Sequence, residues 1–183
     1  FNGKGITLDS SIVLTEESIK GKFSYTNPNF AYTDRSVTTS VESTSTDKEE
    51  TYGYKTSLNK FALGTRFEQF ENLYFSPNLS ISFEELTTTA SASDNYKKQE
   101  GSYFDALFNY ALTYDTRDSS YRPTTGYVSS IVQELPIYSD GHAIINGYQI
   151  TKYTEVVDDA ILSVGVYTRA ITSIRSNTDV RVS

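Results

Sequence analysis

Tyr103-Phe104-Asp105-Ala106-Leu107-Phe108-Asn109-Tyr110-Ala111-Leu112-Thr113-Tyr114-Asp115 decides the fold, because its large apolar side chains return at every second position. Phe104, Ala106, Phe108, Tyr110, Leu112 and Tyr114 occupy the even positions, while Asp105, Asn109, Thr113 and Asp115 lie between them. Successive side chains of an extended strand point to opposite faces of a sheet, so this period sets an apolar face against a polar one. A segment of this length is long for a soluble strand, which usually runs about five or six residues. It is long enough for the roughly 9–11 residues that a tilted strand needs to cross hydrocarbon.

The same period recurs on both sides of this segment. Upstream, Leu73, Phe75, Pro77, Leu79, Ile81 and Phe83 alternate with Tyr74, Ser76, Asn78, Ser80, Ser82 and Glu84. Further apolar faces come from Ile6, Leu8, Ile12 and Leu14; from Ile19, Phe23 and Tyr25; from Tyr52, Tyr54 and Leu58; and from Leu162, Val164, Val166 and Ala170. Turn residues between these faces predict nine strands, at 5–15, 18–26, 36–46, 51–63, 72–86, 102–115, 126–137, 147–157 and 160–172, with no helix required. Apolar parity shifts by one residue near Phe61 to Leu63 and near Lys152-Tyr153, which predicts a β-bulge at each. Short connections such as Glu16-Glu17 and Asp158-Asp159 contrast with longer ones, Thr87 to Gly101 and Ile137 to Asn146. That contrast predicts short turns on one rim of a membrane barrel and longer loops on the other. Aromatic residues near strand ends, such as Tyr74, Phe75, Tyr103, Phe104 and Tyr127, suit the headgroup girdles of such a barrel.

Composition removes other classes. No run reaches the roughly 18 consecutive apolar residues of a spanning helix, and mean hydropathy is −0.43. A polar lumen face keeps that average low even when the other face sits in lipid. Aromatic content of 14% argues against disorder, because disordered chains lack the large apolar groups that offset ordering entropy. A net charge of −7 would repel a phosphate backbone, so nucleic acid is not an expected partner. Without cysteine there is neither a disulfide framework nor a zinc thiolate site. The chain begins at Phe1 without an initiator Met or a secretory leader, which reads as an excised piece of a longer protein. Nine strands is an odd number, whereas single-chain bacterial barrels close with an even one. The expected architecture is therefore all-β: an antiparallel meander forming part of a transmembrane barrel, not closed. Its two edge strands would carry unpaired backbone groups, and the piece alone is expected not to be a stable monomer.

One motif follows the most regular strand. Asp115-Thr116-Arg117-Asp118-Ser119-Ser120-Tyr121-Arg122-Pro123-Thr124-Thr125-Gly126 has the form D-x-R-D-x-x-x-x-P-T-x-G. Pro123 fixes φ, Gly126 permits backbone geometry that other residues resist, and Asp118 and Thr124 are suited to bond nearby backbone. Arg117 supplies a counter-charge for Asp115 or Asp118, and no His or third carboxylate lies close in sequence. This favours a structural turn over a metal site.

The motif resembles the turn found in the barrels of BamA-type outer-membrane assembly factors and their surface-antigen relatives, on the periplasmic side ahead of the strand leading to the fifth extracellular loop. Phe1-Asn2-Gly3-Lys4-Gly5 is similar to that family's N-x-x-G-x-G turn, and Thr26-Asn27-Pro28-Asn29-Phe30 to its T-x-P-x-F strand ending. The resemblance implies that residues 1–183 form one domain running from about the third through the eleventh strand of a sixteen-stranded barrel. The family's R-G-F motif, its periplasmic POTRA repeats and its first and last strands have no counterpart in these residues.

Membership would imply a protein of the Gram-negative outer membrane that inserts and folds other barrels without any cofactor, by strand exchange at a poorly paired seam. Its partners would be outer-membrane lipid, unfolded β-barrel clients and accessory assembly lipoproteins. Asp105, Asn109 and Arg169 are candidate lumen contacts on the polar face, with a solvated lumen lining as the simpler reading. The lone His142 lies in a polar loop and reads as an ordinary surface histidine. Asn78-Leu79-Ser80 matches a glycosylation sequon, which a strand inside a membrane would not present. No nucleophile–base grouping or phosphate loop is apparent, so an enzyme is not expected. The alternatives are a secretion barrel of the same superfamily that exports one partner, a passive porin-like channel, and a soluble β-rich binding domain.

Overall fold

A computed structural model describes residues 5–139, 143–157 and 160–173. Among these residues nine strands form one antiparallel sheet in simple sequence order. They are β1 (Thr7–Leu14), β2 (Ser18–Asn27), β3 (Ser36–Lys48), β4 (Tyr54–Phe70), β5 (Leu73–Thr88), β6 (Gly101–Asp115), β7 (Gly126–Ser139), β8 (Ala143–Val157) and β9 (Ala160–Ser173). The sheet is not closed: β1 and β9 are its edges. All nine expected strands are present, and several run longer than the alternation alone marks. Extensive contacts join only neighbouring strands, so the described residues build a single layer and not the paired sheets of a sandwich.

Four details differ from the sequence reading. Helix is present, but only as short pieces in connections: α1 (Glu49–Tyr52), α2 (Asp94–Lys98) and a 3-10 turn at Phe30–Tyr32. The expected bulges are absent where parity shifts. Pairing of β4 with β5 is continuous from Tyr54 to Gly64, and that of β8 with β9 is continuous through Lys152 and Tyr153. Register shifts fall instead at Glu68/Phe70, Ala106/Leu107 and Glu155/Val157. Loop length also fails to separate the rims, because antiparallel order puts the short β1–β2 connection on the same rim as the β5–β6 connection that carries α2. We call this the upper rim; the β2–β3, β4–β5 and β6–β7 connections share the lower one. Most of the expected Ile137–Asn146 loop is strand, since β7 runs to Ser139 and β8 starts at Ala143. Asp158-Asp159, the turn at Phe1–Lys4 and the segment Ile174–Ser183 lie outside the described residues.

Register carries one apolar face across the sheet. Phe83 pairs with Phe104, Ile81 with Ala106 and Leu79 with Phe108; Leu112 pairs with Ile131, and Ile12 and Phe23 continue the face on the first two strands. This face is open: Leu79 is 46% exposed, Ile81 40% and Phe83 61%, whereas Ser80 between them is 2% exposed. A single-layer sheet hides so small a residue only when its neighbours lean over it, as on the inside of a curve. The polar face is therefore the inner one. Along β5 the apolar face runs from Leu73 to Phe83, roughly 33 Å of strand at about 3.3 Å per residue. At a tilt of about 40° this spans about 25 Å, the height of the lipid band of an outer-membrane barrel.

The two buried apolar side chains among the described residues, Leu86 and Ala92, lie below the upper rim. Tyr54 stacks on Tyr96 of α2 with ring centroids 4.2 Å apart, beside buried Leu86 and Ala92. Gly53 accepts the Thr89 N–H at 2.8 Å and has φ +74°. A Cβ there would stand 2.5 Å from the Ala92 nitrogen, so only glycine lets the two connections approach this closely.

Candidate functional site: the inner face and the lower-rim turn

The inner face is laced across strands by small polar side chains. Thr26 lies 3.1 Å from Thr38, Thr113 lies 2.9 Å from Ser130, and the Lys20 ammonium lies 2.9 Å from Glu42. Such pairs satisfy hydroxyls that would otherwise need water. The sequence-predicted lumen residues all belong to this face but do not form one cluster. The Ser139 hydroxyl donates to Asp105 at 2.5 Å. Asn109 donates from Nδ2 to the Ser80 hydroxyl at 3.3 Å, and its Oδ1 is buried without a hydrogen-bond partner. Arg169 stands on β9 opposite Gly147, which pairs onward with Val132 and then Ala111. Three strand spacings, about 14 Å, therefore separate it from β6. It borders a separate hollow of about 170 Å³ with Val132, Glu134, Ile145 and Tyr167.

The turn from β6 to β7 is the most heavily bonded feature of the lower rim. Arg117 grips Asp115 with two parallel bonds, from Nε at 2.8 Å and from its terminal nitrogen at 2.6 Å, a fork that fixes both side chains. Asp118 is the hub of the loop. It accepts the Ser119 N–H at 3.0 Å, the Thr124 N–H at 2.9 Å, the Thr124 hydroxyl at 2.5 Å and the Thr125 N–H at 3.2 Å. These donors favour the ionised form and hold the Asp118 carboxyl at a pKa of about 2, below its usual 3.8. Half-buried Pro123 leads the chain into Thr124. Gly126 closes the turn at φ +91°, where a Cβ would stand 2.3 Å from the Thr116 carbonyl oxygen. The motif residues thus meet as a structural unit. Among the described residues no three of His, Cys, Asp or Glu gather where they could hold a metal ion. His142 lies outside the described residues.

Sequence reading missed the arginine–ring pairs of this rim. The Arg66 guanidinium lies 4.6 Å from the Tyr74 ring centre and that of Arg35 lies 4.7 Å from Phe67. Tyr74 pairs with Glu68, so Arg66 reaches it diagonally across the β4–β5 hairpin, past a register shift at Glu68/Phe70 that a count from the Glu71-Asn72 turn does not include. Arg35 stands opposite Phe67 by one further step of the β3–β4 register, which ends at Ser36 opposite Arg66.

The Omp85 superfamily domain matches residues 1–182. Among solved structures, the crystal structure of BamA from Haemophilus ducreyi lacking POTRA domains 1–3 is similar, with a TM-score of 0.74 and 16% identity. That match covers 94% of this chain and 36% of the other, so the chain spans about a third of that protein's length. At this identity the likeness is one of fold. No curated protein matches the chain.

Proposed function

We propose that this chain, which belongs to the Omp85 superfamily, is part of the wall of an outer-membrane barrel whose parent inserts and folds other β-barrel proteins in a Gram-negative outer membrane. One observation carries the membrane part of this reading. Leucine, isoleucine and phenylalanine stand open along one face of a single-layer sheet, while serine is buried on the other. Water would oppose that arrangement by roughly 25 cal/mol for each Å² of apolar surface left exposed; hydrocarbon covers it without cost. A row of open apolar side chains of this kind marks a surface that a partner or a membrane covers.

On this reading the nine strands correspond to about the third through the eleventh of the family barrel. POTRA repeats and the opening strands precede them, and the R-G-F loop and closing strands follow. The working seam lies between the first and last strands, where free N–H and C=O groups template an incoming client strand. The present strands supply the continuous wall opposite. Every neighbouring pair is laddered, and the Arg117–Asp115 fork and the Asp118 hub lock one of its hairpins. Asp105, Asn109 and Arg169 line the lumen. The parent works without cofactor and not as an enzyme, in contact with lipid, unfolded clients and accessory lipoproteins.

Depleting the parent protein tests the role. Loss of many unrelated barrels from the outer membrane is the expected result. Loss of a single exported partner, with other barrels unchanged, would instead identify a secretion barrel of the same superfamily. Ion conductance as the sole phenotype would identify a channel.

A further inference from the structure

We propose that the notch on the lower rim, between the β2–β3 connection and the β4–β5 hairpin, binds the phosphate group of a membrane phospholipid. The proposal rests on the reading that the apolar face lies in lipid. The notch exists because β3 starts opposite Arg66 while β4 continues to Phe70, paired only with β5. The hairpin therefore projects past its neighbour. The hollow beside it has a volume of about 620 Å³ and is lined by Pro28, Asp34, Arg35, Arg66, Glu68 and Tyr74, among others.

Two arginines border this space from the two faces of β4, Arg35 over the outward Phe67 and Arg66 over the inward Tyr74, and neither forms an ion pair within the described residues. Each is backed by a ring, Arg35 by Phe67 and Arg66 by Tyr74. A ring beneath a guanidinium holds it in place and leaves its N–H edge free for a bidentate oxyanion. The two carboxylates of the notch are placed differently. Glu68 is engaged within the hairpin, accepting the Asn72 N–H at 2.7 Å. Asp34 is the competing anion. Nearby Asp115 is already taken by Arg117.

The notch also stands at the right height. Phe67 packs edge-on against Phe75, ring centres 5.8 Å apart, where the apolar face of β5 begins. The β2–β3 connection is held by its own bonds, Thr33 Oγ1 to the Phe30 carbonyl at 2.6 Å and the Asp34 N–H to Asn29 Oδ1 at 3.0 Å. It presents Phe30 at 52% and Tyr32 at 82% exposure. Open rings beside the outward Arg35 suit a headgroup, whose phosphate meets that arginine, with Arg66 adding positive charge from the inner side of the same open strand edge, while its glycerol and upper acyl carbons meet the rings. A soluble phosphate would use the cations alone.

The test uses the full-length parent barrel in phospholipid nanodiscs that contain two photoreactive lipids, one activated in the headgroup and one in the acyl chain, with cross-linked peptides mapped by mass spectrometry. Headgroup cross-links are expected on residues 28–36 and 66–74. They should fall about fivefold in Arg35→Gln/Arg66→Gln, fall less in Arg35→Lys/Arg66→Lys, and rise in Asp34→Asn. Acyl cross-links to β5 and β6 should be unchanged in every variant, which also shows that each variant is folded and inserted. Headgroup labelling equal in wild type and the double glutamine variant, with acyl labelling intact, would overturn this inference alone. Absence of acyl labelling from β5 and β6 would overturn the membrane reading beneath it. A parallel phosphorus NMR measurement with inorganic phosphate in detergent separates the sources: arginine-dependent broadening without headgroup cross-links would assign the site to soluble phosphate and sink the lipid claim.

Discussion

The outward faces of β5–β6 and of β3–β4 start alike at the lower rim and then part. On β5 and β6 the face stays apolar from Leu73 to Phe83 and from Tyr114 to Phe104. On β3 and β4 it is apolar only through Val41 and Phe61, which pair with each other. Above that level Ser43 stands opposite Asn59, Ser45 opposite Ser57 and Asp47 opposite Lys55. These polar groups bond among themselves, Ser43 Oγ to Asn59 Oδ1 at 2.8 Å and Lys55 to Asp47 at 2.6 Å. The upper halves of β3 and β4 are thus polar on the side where their neighbours are greasy. Period two reports an extended strand in both regions, but it reports lipid only where the outward positions are apolar. The hydrocarbon boundary on this side of the wall runs near Val41 and Phe61.

An arginine placed in each region breaks the comparison most sharply. Leu79→Arg on β5 should destabilise the full-length barrel by about 2–4 kcal/mol in lipid vesicles, and Ser57→Arg on β4 by about 0–1 kcal/mol. Urea unfolding of the reconstituted barrel measures both. Equal penalties would mean that the two outward faces share one medium, and the boundary drawn here would be wrong.

The upper half of β4 takes its apolar packing from the inner side, through the Tyr54–Tyr96 stack. Tyr96→Ala should cost about 1–2 kcal/mol, from ring contact together with lost apolar burial. Hydrogen exchange should quicken in α2 and upper β4 while the lower half of β4 keeps its protection. Uniform loosening of the whole strand would deny that this cap is a separate packing unit.

This division explains what could be read from the sequence and what could not. Strand existence, strand order and the polar face of β5–β6 were legible, because alternation needs only the covalent geometry of an extended chain. The shift of parity between Leu58 and Phe61 is legible too, but a bulge is not its cause. Leu58 and Tyr54 belong to the inner face and Phe61 to the outer, on one unbroken register. The environment changes along the strand, and the backbone does not bulge. That change depends on α2, whose arrival over Tyr54 is a tertiary event some forty residues away. Rim assignment by loop length failed for a similar reason, since length says nothing about direction, whereas counting strands does. At the candidate site, Gly126 and Asp118 announced a turn by residue type alone. The arginine-lined notch did not, because it is made by unequal strand lengths.

Smaller still is the effect expected from the Ser43–Asn59 bond. Asn59→Ala removes one exposed partner and should cost about 0.5–1 kcal/mol if water surrounds the pair. In hydrocarbon, the Ser43 hydroxyl left behind would raise the cost well above that. Unfolding of Asn59→Ala in vesicles therefore reads the medium at this level, and a loss of several kcal/mol would move the boundary upward.

The smallest effect lies at the lower-rim turn, where water again reaches the chain, and it is read by pH. Asp118 carries a folded pKa of about 2 against 3.8 for the free group, since three N–H groups and the Thr124 hydroxyl donate to its carboxylate. A depressed carboxyl pKa stabilises the folded turn fully above the unfolded value; that contribution fades as pH falls from 3.8 through about 2. Asp118→Asn keeps one acceptor oxygen but cannot titrate. The variant should be less stable than wild type at neutral pH, and the gap between them should narrow across that acid window. If the gap stayed constant down to pH about 2, the charge on Asp118 would contribute nothing to the turn beyond the shape its side chain shares with asparagine.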